Sequence, residues 1–179
     1  PAAGDTPDLS AKPLDRAGIM YAGGLQTWQK VPVMLDYVHT HRDEYVFTFL
    51  VPEPDRLRPM YRDRYGADFP GEVRSVPHTE IPAEYARHHY TLIFRDDDIV
   101  NRVACPTKLT EAMQYGLLPI VLSPCIGDMQ NMGIEYHLFD NPLPAEAEWR
   151  SKIIRNRELF DAMQIRAAAN LEKLREIFD

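Results

Sequence analysis

Cysteine is scarce in this chain of 179 residues: Cys105 and Cys125 are its two thiols. Two are too few for a disulfide framework or a four-thiolate metal site. Positive charge is short as well. Twenty Lys and Arg stand against 27 Asp and Glu, a formal net charge of −7. The arginines are scattered among acids and form no basic stripe, so a nucleic-acid partner is excluded: a phosphate backbone needs a basic surface. No apolar run approaches the ~20 residues of a membrane span, and no signal-peptide pattern is visible. A reducing cytoplasm is the expected compartment, with no membrane contact from this domain. A starting methionine is also missing. The chain opens Pro-Ala-Ala-Gly, and residue 1 is expected not to be the natural beginning.

What is present is an ordinary globular composition, 45% hydrophobic and 26% charged, at a length that suits one domain with a proper core. Residues 1–16 hold three prolines, small residues and isolated charges without a period. They read as a linker or tail, and residues 17–179 as the domain. From Ala17 the pattern alternates. Apolar Ile19 to Ala22 reads as a strand closed by Gly23-Gly24. A helix is predicted from about Pro32, burying Met34, Leu35 and Val38. Tyr45 to Val51, Glu72 to Val76, Tyr90 to Phe94, Leu117 to Leu122 and Ile134 to Phe139 read as further strands. Pro54 to Tyr65 (closed by Gly66), Pro82 to His88, residues 106–115 and everything from Ala145 read as helices.

Strands alternating with helices, some of them apolar at every position, imply an α/β fold: a Rossmann-like, doubly wound parallel sheet of about six strands, with C-terminal helices. Such sheets bind ligands at the carboxyl ends of their strands. Function is therefore expected in the loops after Ala22, Val76, Phe94 and Leu122, and at helix starts facing that edge.

The segment CPTKLTEAMQYGLLPIVLSP, residues 105–124, concentrates the chemistry. Pro106 suits a first helical turn and Gly116 the position just past a helix end. Leu109, Met113 and Gly116 share one helical face, which packs on the sheet. Lys108, Glu111 and Tyr115 share another, which looks along the sheet edge. The helix start offers unpaired N–H groups and positive dipole to an anion. A lysine beside it and a carboxylate one turn later suit a phosphate attached to a diol such as ribose. The plainer alternative is a surface ion pair worth a few tenths of a kcal/mol.

The order of these pieces resembles the donor-binding half of a GT-B glycosyltransferase of group 1 type, the group that includes bacterial polysaccharide and lipid-sugar transferases. RDDDIVNRVACPTKLTEAMQYGLLPIVLSPCIGD, IMYAGGLQTWQK and VPHTEIPAEYARHHYTLIFR carry the resemblance, over about residues 17–140. It implies a nucleotide-sugar (NDP-sugar) donor, a glycan or lipid-linked acceptor bound by a second domain that precedes this one, no cofactor and no bound metal. On the matching positions, Lys108, Arg95 and Lys30 would neutralise the leaving diphosphate. Gly23 and Gly24 would let backbone approach it, and the backbone of Thr107, Lys108 and Leu109 would donate to it. Glu111 would take the ribose hydroxyls as the second glutamate of a Glu-x7-Glu motif, and His78 lies where the base is placed. The first glutamate is replaced by Val103, and the arginine that often precedes the lysine by Gly24, so the donor-sugar contact and the stereochemical outcome stay unassigned. Two other readings remain open: a non-catalytic nucleotide-binding or protein-binding domain of the same architecture, and one half of a sugar-nucleotide epimerase.

Several residues carry a competing interpretation. Arg95 could pair with Asp96–Asp98 or Glu111 instead of a phosphate. The triple aspartate could hold a hard divalent cation or be plain solvated loop. His88-His89 would end a helix, where positive charge is favourable. Trp28 could cover a donor or pack at a core edge. Ile153, Leu159, Phe160, Met163, Leu171, Leu174 and Ile177 read as packing stripes of the last helix.

Overall fold

A computed structural model describes residue 12 and residues 16–103 and 107–178. Six strands form one sheet: β1 (Gly18–Ala22), β2 (Val46–Leu50), β3 (Gly71–Arg74), β4 (Tyr90–Ile93), β5 (Leu118–Val121) and β6 (His137–Leu138). Every neighbouring pair is parallel, in the order β3-β2-β1-β4-β5-β6. The expected doubly wound sheet is therefore present. The chain runs outward from β1 to β3, returns to the centre, and runs outward again from β4 to β6. The loops leaving β1 and β4 part from one another at that reversal, and their carboxyl ends flank a crevice.

The helices are α1 (Val31–Thr40), α2 (Pro54–Tyr65), α3 (Ile81–Arg87), α4 (Ile99–Val103), α5 (Thr107–Gln114), α6 (Met129–Met132) and α7 (Glu146–Phe178). Strand alternation explains how they are sorted. Ile19, Tyr21, Phe47, Phe49, Leu92, Phe94, Leu118 and Ile120 point to one face, where Met34, Leu35, Val38, Leu57, Trp149 and Ile153 cover them. Met20, Ala22 and Leu50 point to the other, under Tyr85, Ala112 and Leu117. Ile93 and Val121 meet Leu109, Met113, Met129 and Phe160. Both faces being dry, the strands carry the near-continuous apolar runs seen in the sequence.

The differences from expectation have local causes. The strand expected over 134–139 shrinks to His137–Leu138 at the sheet edge, because Ile134 and Tyr136 turn into the packing of α6 and α7. Two short helices, α4 and α6, arise in segments too short to show a period. α7 packs through Trp149, Ile153 and Phe160, but Ile165 and Leu171 are exposed. The expected packing stripe thus stops near Met163, and the side chains of Leu174 and Ile177 lie outside the described residues.

Lys12, within the segment read as a linker, is buried. Its ammonium donates to the carbonyls of His88, Gly116 (2.9 Å) and Tyr115 (3.5 Å). The last two end α5, where a cation complements the helix dipole. Burial pushes this ammonium down to about 7. His88 and His89 are buried beside it. Burial is the largest cause lowering both, His89 to about 4, so these imidazoles are neutral rather than dipole-complementing cations. The His89 Nδ1 accepts the Gly18 N–H at 3.0 Å.

Candidate functional site

The crevice at the carboxyl ends of β1 and β4 is built from four pieces. β1 ends at Ala22, and the chain turns through Gly23, Gly24 and a 3-10 turn at Thr27–Gln29 before entering α1. The Gly23 N–H donates to the Leu50 carbonyl at 3.0 Å. The Tyr21 hydroxyl donates to the Gly24 carbonyl, which ties the turn back to the strand it leaves. β4 delivers Arg95 two residues past its end. The start of α5 brings Thr107 and Lys108, and one turn on, Glu111.

Lys108 is the centre of this arrangement. Its ammonium lies 4.5 Å from the centroid of the Tyr21 ring and donates to Gln29 Oε1 at 3.1 Å. A Cβ built on Gly23 would stand 2.3 Å from the Lys108 Nζ, so glycine here is what lets the ammonium reach the turn. Burial pushes the ammonium down to about 8; the Arg95 guanidinium acts in the same direction and the Glu111 carboxylate against it. Arg95 donates from Nη1 to Asn101 Oδ1 at 3.3 Å, while its Nε is buried without a hydrogen-bond partner among the described residues. Neither cation is ion-paired to a described residue: their partners are amides and a ring.

The acids nearby are engaged elsewhere. Asp96 pairs with Lys30 at 2.9 Å and Asp97 with Arg102 at 2.6 Å. Asp98 caps α4, accepting from the Asn101 N–H at 2.8 Å and from its side-chain amide. The alternative in which Arg95 pairs with these aspartates is therefore not the one adopted. Glu111 Oε2 accepts from the Tyr85 hydroxyl at 2.7 Å, and the Tyr85 ring stacks on Tyr115 with centroids 5.3 Å apart.

Of the residues singled out in the sequence, Gly23, Gly24, Lys108 and Arg95 come together, with Glu111 next along α5. Lys30 sits on the rim, in left-handed backbone (φ 54°) at the entry to α1. Thr107 is exposed at the head of α5, and the Leu109 side chain is fully buried in the core, so only its backbone faces outward chemistry. His78 is exposed in a 3-10 turn beyond β3. Cys105 and Pro106 lie outside the described residues. Trp28 is exposed in the turn, not packed at a core edge. Sequence reading missed Gln29, Tyr21, Tyr85 and Asn101, the groups that orient the charged residues. The one available signal was a tyrosine hydroxyl inside the apolar run of β1.

No family model matches the sequence, and no curated protein matches it either. Solved structures do match in fold. The C-terminal domain of a group 1 family glycosyl transferase (LpcC) from Francisella tularensis superposes with a TM-score of 0.55 at 12% identity, over 82% of this chain and 85% of that one. The catalytic domain of the cholesterol-α-glucosyltransferase of Helicobacter pylori gives 0.53 at 12% identity, over 86% and 98%. The pneumococcal O-GlcNAc transferase GtfA, solved with UDP and GlcNAc, gives 0.53 at 14% identity, over 81% of this chain but 32% of that one. The chain thus spans about a third of the pneumococcal enzyme. At these identities the likeness is one of architecture. The fold of this chain is that of the C-terminal, Rossmann-like domain of group 1 glycosyltransferases of the GT-B type.

Proposed function

We propose that this chain is the donor-binding half of a glycosyltransferase that moves a sugar from an NDP-sugar to a glycan or lipid-linked acceptor, in polysaccharide or related biosynthesis. One observation carries the reading. At the switch point of a parallel sheet, an acidic protein holds two cations, Lys108 and Arg95, on neutral partners, and a buried guanidinium nitrogen has no hydrogen-bond partner among the described residues. Two like charges brought together in a half-buried site raise each other's electrostatic energy, and an entering diphosphate lowers it. The first turn of α5 adds the N–H groups of Thr107, Lys108 and Leu109, and Gly23 lets the Lys108 ammonium come up against the turn.

The chemistry follows from that placement. As the bond from the anomeric carbon to the diphosphate breaks, negative charge builds on the leaving oxygen. Donors already fixed in place stabilise it without reorganising. No metal is required for this step. Glu111 Oε1, which accepts no hydrogen bond from a described residue, is free to take a ribose hydroxyl, with Tyr85 holding the carboxylate through Oε2. Lys30 contributes charge at the rim once released from Asp96. His78 would meet the base by way of the loop after β3. The acceptor belongs to a preceding domain, so turnover by this chain alone is expected to be very low. The pneumococcal structure with bound UDP supports the donor class.

A second reading is favoured by the Tyr85–Glu111 hydrogen bond itself: Glu111 serves the fold and the domain binds something else. Calorimetry with UDP, GDP, ADP and CDP separates the two. Under the donor reading one nucleotide binds, and Glu111→Ala weakens it by ~1–3 kcal/mol, the range of a hydrogen bond to a charged group. Because that variant also strands the buried Tyr85 hydroxyl, the comparison is made in a Tyr85→Phe background, where stability is restored. Equal affinity with and without Glu111 in that background, or no affinity for any of the four, favours the second reading.

A further inference from the structure

A cavity with mixed aromatic and charged lining lies away from the crevice. It has a volume of about 450 Å³, within the ~300–1,000 Å³ of small-molecule sites, and opens between the C-terminal half of α1, the turn into β2 and the segment after β6. Tyr37, His41, Tyr45 and Phe139 form its aromatic walls, and Glu44 and Asp140 supply carboxylates. Asp36 also borders it but is already neutralised by Arg64, at 2.7 Å, and accepts from the Tyr65 hydroxyl.

From this geometry we infer a second ligand site, for a small organic cation bearing a primary or quaternary ammonium. Four observations support it. Tyr37 is a buried residue (6% exposed) whose hydroxyl reaches the cavity and has no hydrogen-bond partner among the described residues. That hydroxyl is available to accept from a donor that enters the cavity. Glu44 meets no cation closer than the His41 Nδ1 at 3.4 Å, and Asp140 is in no ion pair with a described residue, so the cavity is net acidic. The rings are contiguous: Tyr37 and His41 centroids are 4.6 Å apart, and His41 and Tyr45 stack at 5.4 Å. Their faces offer negative quadrupole to a cation. The C-terminus of α1 also ends here, adding partial negative charge. A phosphate or carboxylate ligand meets repulsion on every side. A neutral sugar gains the ring stacking but none of the charge.

The test uses choline and propylamine as probes against the full chain, by calorimetry and by amide chemical shifts. Both probes are expected to bind with shifts centred on Tyr37, His41 and Tyr45. Glu44→Gln and Asp140→Asn should each weaken binding at least ~5-fold, and Tyr37→Phe should weaken propylamine more than choline, since only a primary ammonium donates to the hydroxyl. Added salt lowers the affinity, and UDP does not compete. No binding at tens of millimolar, or affinities indifferent to both carboxylate variants, overturns the inference. So does glucose binding in the same cavity as well as choline, which would make it a polyol site.

Discussion

One methyl group at Gly23 tests whether the Lys108 ammonium is held where a phosphate would arrive. An added Cβ would lie 2.3 Å from Nζ and 2.9 Å from Cε of Lys108, and 3.0 Å from the Tyr21 hydroxyl oxygen. Restoring an ordinary separation of ~3.5 Å requires Nζ to retreat by about 1.2 Å. Moved that far, the 3.1 Å bond to Gln29 is no longer a hydrogen bond. The backbone at φ 157° is also one that glycine adopts far more readily than alanine, so the substitution strains the turn by about 1–3 kcal/mol as well as crowding it. The Lys108 ammonium loses the ring and the amide but regains water, and its depressed pKa relaxes upward. A diphosphate loses more. For one charge pair at an effective dielectric of ~20, moving from ~4 to ~5.2 Å forfeits about 1 kcal/mol, or ~5-fold in affinity. Gly23→Ala is thus expected to lower the melting temperature and, in the folded protein, to bind the preferred nucleoside diphosphate ~5-fold or more weakly than the parent by calorimetry. Lys108→Met should match or exceed that loss. Parent-like affinity in Gly23→Ala, with Lys108 seen to have moved, would refute the placement of the phosphate.

Further outcomes follow from the same groups. Lys108 sits at about 8 when free; a bound diphosphate raises it, so binding near pH 8 takes up a proton and affinity falls as pH rises above that value. Calorimetry in buffers of different ionisation enthalpy measures the uptake, and none at that pH argues against contact. Lys12 is held at about 7, against 10.5 when exposed. Its folded pKa is depressed, so it weakens the fold fully below about 7 and the effect is relieved between about 7 and 10.5. Stability should rise with pH across that window by up to one proton's slope, and Lys12→Met should flatten the rise in a denaturation series. His89 is lowered to about 4 from 6.5, so its contribution is lost as pH falls through that interval. His89→Asn, which keeps an acceptor for the Gly18 N–H, should reduce the acid sensitivity of the melting temperature. Leu109→Ala, by opening a cavity in the core, should lower unfolding free energy by ~2–5 kcal/mol, with the nucleotide affinity of the folded fraction retained.

The sheet was legible because burial on both faces writes itself into composition. Met20, Tyr21, Leu92, Ile120 and their neighbours leave apolar runs that few other folds require, and Gly66 and Gly116 mark helix ends by their left-handed backbone. Short elements were not legible. α4 and α6 have five and four residues, less than the window in which a helical period shows. The charged residues proposed for the site were named from their positions at strand and helix ends together with the family resemblance. Their partners could not be named that way, since Gln29 meets Lys108 across 79 positions and Tyr85 meets Glu111 across 26. Nor does an isolated lysine such as Lys12 announce that three carbonyls will converge on it.

The distribution of ion pairs bears most directly on function. This protein has 27 acidic side chains for 20 Lys and Arg, so an unpaired cation is not forced by composition. Exposed arginines take carboxylates freely: Arg58 takes Asp55, Arg62 takes Asp68, Arg64 takes Asp36 and Arg102 takes Asp97. At the crevice the pattern reverses. Asp98 is turned into the cap of α4 and Asp97 outward to Arg102, while Arg95, immediately before this acidic run, points to an amide. Lys108, three residues from Glu111, reaches away from it to Gln29. A site selected for stability alone would be expected to pair both cations with carboxylates, as the exposed arginines are paired. Keeping them open costs stability in the empty protein, a cost that the proposed diphosphate would offset on entering between β1 and β4. If replacing Arg95 and Lys108 together by Met stabilises the fold and leaves nucleotide affinity intact, the reversal is incidental; stabilisation with loss of affinity identifies the two cations as held open for a ligand.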